Sequence, residues 1–382
     1  MAYRMVFAAD LVPTETNRKY FIEGNIKHLF GDALIQFLQE ADFRCFNLEI
    51  PLTTNQFTAV YPGPHLKADP ETVNAIKGLE PSLLTLGNNH ALDQGEKGLK
   101  DTISTLENAG IPFTGAGSNL EKAERPYILS ADGYKIGVIN FSEYEFAAAT
   151  EQTYGVNPYD PLTSFDSVRD LKKECDVVIV LYHGGKEFYR YPSPRLQRVC
   201  RKFAECGASL VICQHTHCIG CKEKFKGAHI VYGQGNFLFD RNEDEFKKTG
   251  LFVECTIESG ALTEIGFIPF VKRGECVRIA DEEEAAGILE EFEARSLQIK
   301  EPGFVQEEYD KLAQQYYGQY VFRLLGRHKW IRLLNKVTNG KYAENYYSPK
   351  EAIAVLNVIS PENHEELFKA GLRIKGRDFY NK

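Results

Sequence analysis

The chain contains no uninterrupted apolar run of about twenty residues, so no segment reads as a transmembrane helix. Positive charge is not in surplus either: 45 Lys and Arg against 53 Asp and Glu leave a net charge of -8, which removes nucleic acid from the expected partners. The opening stretch MAYRMVFAADLVP carries one basic residue and a short apolar run, without the longer apolar core and small-residue cleavage site of a secretory leader. No internal repeat recurs at a fixed period. The nine cysteines are odd in number and scattered through apparent strands and helices, a pattern of buried reduced thiols rather than of a disulfide framework. The expectation from these absences is a cytoplasmic protein.

What is present is an ordinary globular composition, 43% hydrophobic and 26% charged over 382 residues, enough for a sizeable core and long enough for one large domain with an appendage. Strand-like runs (RMVFAAD, RCFNLEI, SLLTL, DVVIVLYHG, ASLVICQ) alternate with helical stretches at 25–40, 96–109, 165–175 and 193–206, and the 96–109 helix stops at Gly110. Adjacent strands flank an Asp132-Gly133 turn, and LFVECTIESGALTEIGFIPFV reads as a hairpin. Crossover helices followed by adjacent strands imply a mixed α/β sandwich. Composition changes near residue 275, so the expected division is 1–275 and a mainly helical 276–382.

Polar residues recur at the C-terminal ends of the expected strands, the edge where α/β sheets bind ligands: Asp10, then Asn47 and Glu49, then Asn88, Asn89 and His90, then His183, then His215 and His217. Any one of them reads equally as a cap, a turn residue or a bonded core histidine. The spacing H-x-H at a strand end is more telling, because a period of two sends both imidazoles to one side. Imidazole with carboxylate suits zinc, manganese or iron.

The series NLEIPLT, LGNNHALDQGEKGLKDTISTLENAGIPFTGAGSNLEKAERP, LYHGGKEF, GASLVICQHTHCI and IVYGQGNFLFD resembles the CapA family of capsule-synthesis (poly-gamma-glutamate) proteins over about residues 3–272. The resemblance implies a calcineurin-like metallophosphoesterase sandwich of two mixed β-sheets flanked by helices, holding one or two divalent metal ions (Mn, Zn or Fe). Carried onto this chain, it makes Asp10 a ligand and Glu49 the bridging carboxylate. Asn89, His183 and His215 then hold one metal, and His217 with Asp10 the other. His90 takes the place of the histidine that protonates a leaving oxygen. Three positions depart from the phosphoesterase pattern: Val12 stands where a histidine is usual, Glu49 replaces Asp, and Gln214 replaces a glycine.

Around this set, Asp93 and Glu96 are either carboxylates orienting His90 or the first turn of a helix. Lys186 and Glu187 face the substrate or belong to a solvated loop. Arg125 contacts an anion or pairs at the surface, and Asn47, Asn88 and Asn236 are further candidates for substrate contact. Cys218 and Cys221 have no second C-x-x-C to complete a zinc knuckle. In the tail, 316–337 places Arg323, Arg327, His328, Lys329, Arg332 and Lys336 among leucines, aromatics and the single Trp330, a basic amphipathic surface for the inner face of a membrane or a partner protein. The expected function is a metal-dependent hydrolase of a phosphoester or amide, acting on an anionic polymer or phosphorylated envelope precursor. The alternative is a non-catalytic assembly or polymer-binding factor of an export machine.

Overall fold

The computed structural model describes residues 2–56, 64–143, 147–239, 245–325, 328–359, 368 and 372. It divides into two compact units, Met1–Val305 and Gln306–Lys382.

The first unit is built on two mixed sheets. One runs in the order Cys276–Ile279, Ala261–Arg273, Thr249–Glu258, Tyr3–Leu11, Phe43–Leu48, Leu83–Thr85, Phe113–Thr114, with the last four strands parallel. The other runs Lys222–Phe225, Ala228–Tyr232, Leu210–Gln214, Val177–His183, Tyr134–Ser142, Tyr127–Ala131, with its four inner strands parallel. Period-two alternation explains why the sheets stack. Met5 and Phe7 share an apolar layer with Ile179, Leu181, Leu210 and Ile212 of the other sheet, while Val6 and Ala8 pack with Leu29, Leu34 and Leu99 of the covering helices. Val178 and Val180 likewise meet Leu171, Val199 and Phe203 on the outer face of the second sheet. The chain is therefore a mixed α/β sandwich flanked by helices.

Local chemistry sets the boundaries. Gly110 ends helix Gly95–Ala109 in the left-handed region at φ 72°, and Ser193 opens Pro194–Glu205 by accepting the Leu196 N–H at 3.0 Å. The Asp132-Gly133 turn has φ of 48° and 86°, the primed geometry that matches strand twist. Helix Ile26–Gln39 is not continuous as expected: Gly31, at φ 66°, breaks it. Strands of two residues, such as Ala116–Gly117 paired with Gly155–Val156, are too short to show a period.

The first unit passes the expected boundary at 275. Cys276–Ile279 adds an antiparallel edge to the hairpin, and helix Glu282–Gln298 lays Phe292 on Phe267 with ring centroids 4.9 Å apart. The basic run at 316–337 is carried by two helices. The first, Phe304–Leu324, ends before His328, whose extended backbone (φ -54°, ψ 151°) precedes Lys329–Val337; Arg327 lies outside the described residues. Eight of the nine cysteines, Cys218 and Cys221 included, are buried thiols, and Cys276 is half-buried. No helix among the described residues is long and apolar enough to cross a membrane.

Candidate functional site

Asp10 sits where strand Tyr3–Leu11 changes register against Phe43–Leu48, an irregularity between Ala8 and Asp10 that re-aims the carboxylate. Its Oδ1 accepts the Asn47 amide at 2.7 Å, and Oδ2 lies 3.4 Å from His217 Nδ1. Glu49, just beyond the neighbouring strand, is fully buried, and neither of its carboxylate oxygens has a hydrogen-bond partner. His183 ends its strand with Nε2 3.1 Å from Glu49 Oε1, 2.9 Å from Asn89 Oδ1 and 3.2 Å from His215 Nδ1.

Four atoms with lone pairs thus face one another, and Nε2 of His183 carries at most one hydrogen to share among three neighbours. Such crowding of acceptors has the form of a cation site. The donor atoms of Glu49, His183 and His215 lie within 4.8 Å of one another, as do those of Asp10, Glu49 and His217, so Glu49 belongs to both groups.

The electrostatics fit this geometry. Burial alone would raise the Asp10 pKa, but the hydrogen bond to His217 and the charges of His183 and His217 hold it well below the usual carboxylate range. Burial and the charge of Asp10 push Glu49 well above its usual value. Burial opposes charge on His217, yet its bond to Asp10 and the charges of Glu49 and Asp10 raise it to about 9. Burial and the neighbouring His183 and His217 drive His215 well below its usual value, leaving it neutral and able to ligate. Two buried acids lie side by side, and a divalent cation fits there because it offsets their mutual repulsion.

His215 and His217 do not reach this site by strand alternation. The strand ends at Gln214, and both histidines adopt left-handed backbone, φ 88° and 55°. Non-glycine residues rarely hold that conformation, so the loop is strained where it presents its imidazoles.

Residues 4–241 match the protein family described as "Bacterial capsule synthesis protein PGA_cap", more than half of the chain. The chain belongs to this capsule-synthesis family. Among proteins it is similar to are "PGA biosynthesis protein CapA" of Bacillus subtilis, 28% identical over 229 residues that cover 58% of this chain and 60% of that one, and "Capsule biosynthesis protein CapA" of Bacillus anthracis, 30% identical over 224 residues, 56% and 54%. The matched stretch is therefore less than two thirds of those relatives' length. A phosphatase of Mycoplasma pneumoniae is similar in structure at a TM-score of 0.45 and 13% identity, covering 74% of this chain and 96% of that one.

In this family member the remaining sequence candidates divide. His90 Nδ1 lies 2.7 Å from Asp93 Oδ2, which also accepts the Leu66 N–H at 2.6 Å, so Asp93 orients the imidazole. Burial would lower the His90 pKa, but the Asp93 bond and the charges of Glu49 and Asp93 raise it. Glu96 is exposed in the first turn of its helix. Asn47 and Asn88 are fully buried and bonded to each other at 3.1 Å, which leaves no surface for a substrate; they support Asp10 and the strand end. Asn236 is equally buried, its Oδ1 2.7 Å from His217 Nδ1. Arg125 is paired with Glu121 at 2.6 Å at the surface, its side chain 64% exposed. Lys186 and Glu187 are half-buried in the loop after His183, where Lys186 Nζ donates to the Glu187 carbonyl at 3.3 Å. The next residue, Phe188, sets its ring 5.7 Å from that of His217.

Two supporting residues escaped the sequence reading. Asn140 accepts the Gly87 N–H at 2.7 Å, and a Cβ at Gly87 would come within 2.4 Å of that oxygen, so glycine is required where the loop to Asn89 and His90 leaves its strand. The signal was a lone asparagine in the apolar run IGVINFS. Lys272 is buried, donating to the Asn236 carbonyl at 2.8 Å and to Thr249 at 3.3 Å. Burial lowers its pKa from 10.5 to about 7, with Asp10 opposing and Lys247 assisting.

Between about pH 7 and 10.5 the unfolded chain holds the Lys272 proton and the folded chain does not, so this group makes stability rise with pH across that window, by several kcal/mol at its full extent. Lys272→Met is expected to flatten that rise, read as chemical denaturation at pH 7 and pH 10. An unchanged difference between the two pH values would show that Lys272 is not the group responsible.

Proposed function

We propose that the chain is a metal-dependent hydrolase cleaving a phosphoester or amide bond in capsule, poly-gamma-glutamate or cell-envelope polysaccharide synthesis. An anionic polymer or phosphorylated precursor is its substrate class. The supporting observation is the convergence of Glu49, Asn89, His183 and His215 on one side and Asp10, Glu49 and His217 on the other. Those residues would hold one or two divalent ions, with Glu49 common to both. A divalent cation supplies Lewis acidity there, polarising a phosphoryl or carbonyl oxygen and acidifying water.

The chain's own groups do the rest. Asp93 fixes the Nδ1 side of His90, which leaves Nε2 to deliver a proton to a leaving oxygen. Asn236 and Lys272 hold the loop and the imidazole of His217 in register. Asn140 fixes the take-off of the loop bearing Asn89 and His90.

The test is elemental analysis of untagged protein beside a His215→Ala, His217→Ala double variant, with hydrolysis of an aryl phosphodiester and of poly-gamma-glutamate as activity readouts. One or two ions per parent chain and none in the variant is the expected result. Absence of metal from both after incubation with zinc or manganese would defeat the proposal.

The non-catalytic reading has an observation of its own. In helix Lys329–Val337, Trp330 and Val337 are 76% and 75% exposed beside exposed Lys329, Arg332 and Lys336, a surface suited to an anionic membrane or acidic partner. On that reading the metal site is a binding feature and His90 has no part in turnover.

A further inference from the structure

A third group of donors lies outside the site around Glu49. His28, in the first turn of helix Ile26–Gln39, meets Glu275 and Cys276 at the turn joining strands Ala261–Arg273 and Cys276–Ile279. His28 Nε2 is 3.4 Å from Glu275 Oε1, and Cys276 Sγ donates to the His28 carbonyl at 3.1 Å. The side-chain donor atoms of all three lie within 4.8 Å of one another. Tyr20 stacks on the His28 ring with centroids 3.7 Å apart and planes at 22°, which limits its orientation.

We propose that His28, Glu275 and Cys276 form a second metal site, for a borderline transition cation such as zinc. Imidazole, carboxylate and thiolate are the donors zinc takes, whereas magnesium and calcium take oxygen throughout. With Glu275 ionised and the Cys276 proton released to solvent as sulfur bonds the metal, the two anionic donors balance a divalent charge. The His28 side chain is 37% exposed and that of Glu275 36%, so the cluster reaches solvent and leaves a coordination position for water. An exchangeable, open site of this kind ties a helix near the start of the chain to the last strand of the seven-stranded sheet. Lys19, whose ammonium lies 4.4 Å from the Tyr20 ring, is the nearby positive charge that works against it.

Cobalt(II) tests the site independently of the proposed hydrolase centre, because the donors around Glu49 include no thiol. Titration of the full chain is expected to produce a near-ultraviolet thiolate-to-cobalt charge-transfer band, retained in the His215→Ala, His217→Ala variant and displaced by zinc. Cys276→Ser should abolish the band, and His28→Gln should move the titration midpoint upward by at least about tenfold. Zinc should also shield Cys276 of the unmutated chain from alkylation by iodoacetamide, read by peptide mapping, a measurement that does not depend on a variant folding. No band in the parent, a band that survives Cys276→Ser, or alkylation of Cys276 unaffected by zinc would each overturn the proposal.

Discussion

Glu49→Gln is expected to empty both halves of the Glu49-centred site at once while leaving the metal-free fold nearly as stable as before. The carboxylate belongs to both donor groups, so its loss cannot be confined to one ion. In the metal-free protein, burial and the charge of Asp10 push Glu49 well above its ordinary pKa, so the uncharged glutamine gives up less there than it would in place of an exposed carboxylate. The change in metal-free stability should stay within about 1 kcal/mol. Ligand linkage reverses the comparison once metal is added: a parent at a hundredfold excess over its Kd gains about 2.7 kcal/mol that the variant does not. Thermal melts with and without zinc or manganese, paired with elemental analysis, read both quantities. Full metal content in the variant would show that Glu49 is not a shared ligand.

His90→Asn carries the second large effect, a loss of turnover of about 10²- to 10⁴-fold with metal content unchanged. His90 is in neither donor group, yet it is buried with its Nδ1 anchored by the fully buried Asp93, a support that a solvated loop histidine does not require. The metal measurement separates a chemical role from collapse of the site. If turnover survives the substitution with metal retained, the proton-donor role fails, and the assembly-factor reading, with its exposed Trp330 and Val337, gains ground.

The parallel strands and their polar ends were legible because continuous apolar runs such as VVIVLY mark strands buried on both faces, and because Asp10, Glu49, Asn89 and His183 each lie at a strand end or just beyond it. The H-x-H motif led to His215 and His217 by an incomplete argument. Alternation predicts two imidazoles on one face, whereas left-handed backbone at His215 and His217 turns each toward a different donor group. Asn47, Asn88 and Asn236 were legible as polar residues in the right places but not as buried supports, since side-chain partners come from distant strands. Arg125 was the opposite case: its partner Glu121 sits one helical turn away, a local pairing visible in sequence that competes with any ligand. Lys272 gave no signal, because a lysine in a hairpin ordinarily faces water. The boundary at 275 was set by an acidic stretch, although the apolar face of that helix, through Phe292, binds it to the hairpin.

The strand carrying Asp10 pairs on one side with Phe43–Leu48 and on the other with Thr249–Glu258, and its neighbours across the sandwich bring His183 and His215. A ribosome must therefore finish some 250 residues before Asp10 has both its flanking strands and every proposed partner. Ion capture at the proposed Glu49 centre would then come late in folding, and its rate during refolding would report the closing of the two sheets upon one another.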